Sequence, residues 1–213
     1  MSDTETRDQS APAVRLDGVT VRYERGAEPA IADVSFDLSR GAGLLISGPP
    51  GSGASSLLRA LLGLVPSSGL IEVLGRPAGE RGALRHVGWG PARWPVSDGL
   101  TARGVVVLVA SLRCLKSPGE AADDLLARVG LADDRRKADR LEIEDVRRLS
   151  LACALAGDPD LLVLDDPWEF PETVAEIAAA LRRGASVLAA SHDPGGLPAL
   201  LGRTLPIGDE VGA

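Results

Sequence analysis

An α/β core with a helical insertion is the fold class that the sequence predicts, and three observations predict it. GLLIS at 43–47, DLLVLDD at 160–166 and SVLAAS at 186–191 are short apolar runs of the kind found in buried strands. A glycine-rich stretch, GPPGSGASSLL at 48–58, joins the first run to a segment with helical spacing of leucines. Residues 100–156 lie between the early and late strands and read as mostly helical.

The elements follow in order. AVRLDGVTVRY at 13–23 alternates through Val19, Val21 and Tyr23, as a half-buried strand does. The turn ERGAEPA leads to a second strand, VSFDL at 34–38, and then to GLLIS. SSLLRALLGLV is the helix after the glycine stretch, and LIEVL (70–74) and HVGW (86–89) are further short strands. The helical middle falls into three segments, broken by SPGE at 117–120 and LADDRRKAD at 131–139. After DLLVLDD comes TVAEIAAALRRG at 173–184, an amphipathic helix closed by glycine, then SVLAAS and a last candidate strand, RTLPI at 203–207.

Composition narrows the class of function. The 213 residues are 45% hydrophobic and 25% charged, as in a soluble globular domain with a sizeable core. A net charge of −7 without a basic block argues against a nucleic-acid partner. Of 23 basic residues only Lys116 and Lys137 are lysines, and neither is near the glycine stretch. Cys114 and Cys153 sit in apolar helical patterns and read as reduced core residues of a cytosolic protein. MSDTETRDQSAP, residues 1–12, is polar and reads as a disordered tail. GVVVLVASL at 104–112 is about half the roughly 20 residues that a membrane-spanning helix needs.

Two segments carry chemistry. GPPGSGAS has the spacing of a phosphate loop, G-x-x-x-x-G-K-[ST], in the required strand–loop–helix context, with Ala54 in the lysine position. Gly48, Gly51 and Gly53 would let backbone N–H groups face phosphate oxygens, and the helix opening at Ser55 adds its positive dipole end. Ser55 holds the hydroxyl position that ligates Mg²⁺, whereas Ala54 removes the ammonium that spans the β- and γ-phosphates. DLLVLDD supplies the second element: Asp165 is the acid beside the metal, and Asp166 stands where a glutamate would hold the attacking water. Asp166 is shorter than glutamate by one methylene, roughly 1.5 Å.

With both elements in order, the chain resembles the nucleotide-binding domain of an ATP-binding cassette transporter over nearly its whole length. The likeness rests on VRLDGVTVRY, on AIADVSFDLSRGAGLLISGPPGSGASSLLRALLGLVPSSGLIEVLGRPA, on LACALAGDPDLLVLDDP at 151–167 and on ASHDP at 190–194. It implies a phosphate-loop NTPase core of cassette type across 13–213, with an antiparallel β subdomain and a helical subdomain over about 97–150. It also implies ATP contacts from Tyr23, Gly48, Gly51, Ser52, Gly53, Ala54, Ser55 and Ser56, and Mg²⁺ ligation by Ser55 and Asp165. Tyr23 either stacks on adenine or is the last inward residue of its strand. Asp166 and His192 are vestigial catalytic candidates, with His192 in the place of the switch histidine that contacts the γ-phosphate.

The departures from the family pattern point one way. Ala92 falls where the loop glutamine would reach the metal and the water, and LEIED at 141–145 aligns with the signature LSGGQ. Glu142 takes the signature's serine position, and Ile143 and Glu144 replace its glycines, so negative charge stands where an opposing subunit's γ-phosphate would close. WEFP at 168–171 leaves the D-loop shortened or absent. Trp94 lies near the loop where this family receives the coupling helix of its membrane partner. Trp168 and Phe170 lie where the D-loop would meet a second cassette, and ordinary packing is the alternative for all three. The expectation is a cytoplasmic cassette subunit bound to a membrane permease, with a second cassette as a further candidate partner, with weak ATP binding, weak or no hydrolysis and a docking or regulatory role. An ATPase completed by a partner's cation and a soluble, non-transport cassette scaffold are the alternatives.

Overall fold

The computed structural model describes residues 11–24, 26–93, 99–132, 134–167 and 170–208. In chain order the elements are β1 (Val14–Val21), β2 (Ile31–Leu38), β3 (Gly43–Ser47), α1 (Ala54–Leu61), β4 (Ser67–Val73), β5 (Arg76–Pro77), α2 (Arg81–Leu84) and β6 (Val87–Gly90). There follow α3 (Ala102–Leu112), α4 (Pro118–Arg128), a 3-10 turn at Ala138–Arg140, α5 (Ile143–Leu155), β7 (Leu161–Asp165), α6 (Pro171–Arg182), β8 (Ser186–Ser191), α7 (Leu197–Leu201) and β9 (Thr204–Pro206).

The strands sort into two sheets by their sequence pattern. β1, with alternating burial, lies inside an antiparallel sheet of order β2-β1-β4-β5. The apolar runs β7 and β8 are buried along their whole length, and β3 along all but its last residue; they form the centre of a parallel sheet of order β6-β7-β8-β3-β9. A parallel sheet is covered on both faces, so its strands need no polar side. The expected α/β fold, antiparallel and parallel parts included, is the observed one.

Alternation along the parallel strands feeds two cores. Leu45, Leu162, Leu164, Val187 and Ala189 face a core shared with α3, α4, α5 and α6. Leu44, Ile46, Leu161, Val163 and Leu188 face the other core, shared with α1 and the antiparallel sheet. Leu57, Leu58 and Leu61 of α1 are fully buried there, each worth about 1.5–3 kcal/mol of transfer free energy. This packing fixes where α1 begins, and so where the loop before it points.

Parallel register then sets the site. Ser47 at the end of β3 pairs with Ser191 at the end of β8, and Asp165 at the end of β7 pairs with Ala190. The segments that leave these three strands therefore emerge together at one edge of the sheet, where open α/β sheets bind ligands.

In the helical middle, Thr101 caps α3 by accepting a hydrogen bond from the Gly104 N–H at 3.1 Å. The break expected at SPGE is the start of α4, with Pro118 in the first turn where its missing N–H costs nothing. Cys153 is buried, and desolvation pushes its thiol up to about 12. Cys114 corrects the expectation of two core cysteines: α3 ends at Leu112, and Cys114 turns out of the helix at φ 57°, exposed. The sequence reading missed α2 and α7, of four and five residues, which are too short to show a helical period.

Candidate functional site

At the strand-end edge lies a cavity of about 270 Å³. Residues 48–56 form one wall, and Ala92, Asp165, Asp166, Ser191 and His192 form the other. The loop turns into α1 through Gly53 at φ 89°, where a Cβ would fall 2.0 Å from the Ala30 carbonyl oxygen. The Ser52 N–H closes the loop's own turn onto the Pro49 carbonyl at 3.0 Å. Gly48, Gly51, Ser52, Gly53, Ala54, Ser55 and Ser56 thus all line one concave surface at a helix start.

Tyr23 lies beyond the end of β1 and is 52% exposed, which removes the option of an inward strand residue. Its hydroxyl and that of Ser56 share a 2.9 Å hydrogen bond, which brings the ring against the start of α1. An exposed aromatic tethered beside the loop offers a face on which a base can stack.

Opposite the loop, the Ser55 hydroxyl donates to Asp165 Oδ1 at 2.7 Å. Asp165 is buried at the end of β7, and its Oδ2 has no hydrogen-bond partner among the described residues. Burial raises the Asp165 pKa; the Ser55 bond, the Arg59 charge and the Ala92 backbone amide oppose that shift, and Asp166 adds to it. An orphaned buried carboxylate oxygen beside a hydroxyl suits a divalent cation. No cluster of three or more His, Cys, Asp or Glu side chains that could hold a metal exists among the described residues. A Mg²⁺ here would take Ser55 and Asp165 as protein ligands and complete its octahedron with other oxygens, as that ion commonly does.

The raised pKa has a consequence for stability. With its pKa above the unfolded value, Asp165 binds its proton more tightly in the folded chain, so stability falls as pH rises from the ordinary aspartate range through the folded pKa. Asp165→Asn removes this loss. In metal-free buffer the variant should melt above the parent at neutral pH and lose that advantage below the ordinary aspartate range. A pH series of thermal melts checks this; a variant that melts below the parent at neutral pH contradicts it.

Asp166 is held differently. Its φ is 51°, a conformation that non-glycine residues seldom adopt, and its N–H donates to the Ala190 carbonyl at 2.7 Å. His192 Nδ1 lies 3.0 Å from Oδ1, and Arg147 of α5 pairs with Oδ2 at 2.9 Å and also reaches the Asp166 carbonyl oxygen. The Ser191 hydroxyl, 3.3 Å from Oδ1 and 2.9 Å from the Asp193 carbonyl, braces the turn that carries His192.

Arg147 was not a candidate from the sequence. It shares a helix face with Ser150, Leu151 and Ala154, all buried, at spacings of three, four and seven. An arginine in an otherwise buried stripe was the available signal.

LEIED leads into the first turn of α5. Glu142 is the helix-capping residue, without a side-chain cap bond, and Ile143 is half exposed. Asp145 is tied to Arg136 and, at 3.1 Å, to Arg148, whose guanidinium lies 4.1 Å over the Phe170 ring. Phe170 thus has a cation–π contact inside the chain. Trp94 and Trp168 lie outside the described residues, as do residues 1–10 of the expected tail and the start of the expected helical subdomain at 97.

Residues 31–169, more than half of the chain, match the family described as ABC transporter. An uncharacterized ABC transporter ATP-binding protein of Mycobacterium tuberculosis is 32% identical over 216 residues, covering 95% of this chain and 31% of that protein. The taurine import ATP-binding protein TauB of Pseudomonas fluorescens is 34% identical over 73% of this chain and 60% of its own length. The manganese transport system ATP-binding protein MntB of Bacillus subtilis is 32% identical over 84% of this chain and 77% of its own length. The chain thus spans less than two thirds of the first two of these relatives. The dimeric post-hydrolysis structure of the ATP-binding cassette MJ0796, bound to ADP and Pi, shares the fold with a TM-score of 0.82 at 22% identity, over 92% of this chain and 94% of that one. Loop, paired acids and histidine come together at one sheet edge in a chain that matches in sequence across most of its length, and it belongs to the ABC transporter family.

Proposed function

We propose that this chain is the ATP-binding cassette subunit of an ABC transporter complex whose own site holds nucleotide weakly and hydrolyses it slowly or not at all, so that its role is docking or regulation. The observation that supports this most is the chemistry of the cavity wall. The loop keeps its glycines and Ser55, but Ala54 brings no cation, and Asp166 is engaged by Arg147 and His192. Phosphoryl transfer depends on positioning and charge stabilisation, and both are depleted here.

In this reading backbone N–H groups of Gly51 and of residues 53–56 cradle the phosphates, since Pro49 and Pro50 have none to offer and that of Ser52 closes the turn, and Tyr23 receives the base. Ser55 and Asp165 would hold Mg²⁺, which when bound neutralises phosphate charge. Ala92 has no side chain to place a water. Glu142 and Glu144 at the start of α5 make a poor closing surface for a partner's nucleotide. No described helix is long and apolar enough to cross a membrane, so attachment at the cytoplasmic face would come through a permease subunit, and a second cassette is a further candidate partner.

Steady-state ATP hydrolysis by the purified chain, alone and with co-purified partners, tests this. The expected turnover is at least about a hundredfold below that of an ordinary cassette, in line with the loss of several charge-stabilising groups. Full turnover that disappears in Asp166→Asn overturns the reading.

A further inference from the structure

We propose that Arg147 is a built-in counter-ion for Asp166, positioning that carboxylate against α5 and supplying part of the charge balance that the loop leaves unmet. The inference rests on the nucleotide reading of the cavity. Two adjacent carboxylates, Asp165 and Asp166, line a cavity read as a polyanion site, and its loop carries alanine in place of a cation. A bound divalent ion would offset the charge of Asp165, because its Oδ2 has no hydrogen-bond partner among the described residues. Asp166 has no such recourse, and a bare carboxylate there would repel phosphate.

Arg147 meets that need from behind the cavity. Its guanidinium contacts both the Oδ2 and the carbonyl oxygen of Asp166, and the two side chains are only 14% and 17% exposed. A pair this sheltered is less screened by salt than a surface pair. His192 and Ser191 occupy Oδ1, so the Asp166 carboxylate is engaged on both oxygens. The contact also joins α5, whose first turn carries LEIED, to the turn after β7. Arg147 does not line the cavity itself, so it acts through Asp166 as a positioning residue.

The test is a double-mutant cycle with Arg147→Gln and Asp166→Asn, read by titration of a fluorescent ATP analogue in Mg²⁺ and by thermal unfolding of the same proteins. Arg147→Gln leaves Asp166 charged and should weaken binding about fivefold, as one unit charge near the phosphates at intermediate dielectric would. Asp166→Asn leaves Arg147 charged and should tighten it by a similar factor, and the double variant should return close to the parent. Both shifts should shrink as salt is raised.

A residue that merely supports the fold would weaken binding in both single variants, without recovery in the double. That result, or an Arg147→Gln protein with unchanged affinity, overturns the proposal. A parent chain that binds no analogue overturns the nucleotide reading instead. The ion pair is then judged from the melts alone, where recovery in the double variant supports it and additive losses sink it.

Discussion

Gly53→Ala is expected to lower the folding stability of this chain by about 4 kcal/mol, and its thermal midpoint by about 10 °C. Two costs combine at this residue. Its φ of 89° lies in the left-handed region, which costs an L-residue roughly 1–2 kcal/mol. The added Cβ would also stand 2.0 Å from the Ala30 carbonyl oxygen and 3.1 Å from the Ile31 Cβ. These are backbone and strand atoms of a packed sheet, so they cannot swing aside as a flexible side-chain tip would. Relief requires moving the start of α1, whose leucines fill the core between the two sheets. Gly51→Ala is the control. Gly51 has a nearly identical φ of 90° with nothing within 4 Å of its Cβ position, so it should pay only the conformational cost of about 1–2 kcal/mol. Calorimetric melts of the two variants check the difference. If Gly53→Ala melts no lower than Gly51→Ala, close packing does not constrain the loop's entry into α1.

That contrast bears on what the sequence could disclose. Buried parallel strands were legible because GLLIS, DLLVLDD and SVLAAS lack polar alternation, and only a sheet covered on both faces uses such runs. The loop was legible because strand, glycines and leucine-spaced helix occur in the order that the geometry demands. The aspartates followed from their place at a strand end, since a strand that ends in carboxylates puts them at the sheet edge. Short elements were not legible: RGAL and LPALL fall within about one turn of helix and leave no period to read. Cys114 was misplaced because apolar periodicity continues past the residue at which α3 stops.

The site posed a different difficulty. Arg147 is distant in sequence from Asp166, and nothing in RRLSLACAL states which of two neighbouring arginines turns toward the sheet. The fold decides it. Arg147 shares the face of Ser150, whose hydroxyl donates to the Pro91 carbonyl at 2.9 Å. Arg148 is one residue round the helix and turns to Asp145 and Phe170. A step of about 100° between neighbouring residues sends one arginine to the carboxylate and the other to an aromatic ring.

Ala54→Lys should tighten nucleotide binding by about 10–100-fold, equivalent to one charge-assisted contact of about 1.5–3 kcal/mol. Ala54 is the first residue of α1, lines the cavity and is only partly buried, so a longer side chain has room to extend along the cavity wall. The ammonium would add a full positive charge to a loop that otherwise offers phosphates backbone dipoles, serine hydroxyls and a helix start. Hydrolysis should rise far less than affinity, because the proposed function has Ala92, LEIED and the Arg147–Asp166 pair, all unchanged by this substitution, as the elements that fail to position a water. The separation of the two readouts is the informative result. Binding measures whether residues 48–56 cradle phosphate, whereas turnover measures whether anything opposite them can use it. Titration with a fluorescent ATP analogue, paired with a phosphate-release assay on the same protein, reads both. A folded Ala54→Lys chain with no gain in affinity would show that the loop does not face phosphate. A gain in turnover as large as the gain in affinity would show that the lysine alone was missing, and that Asp166 works as it stands.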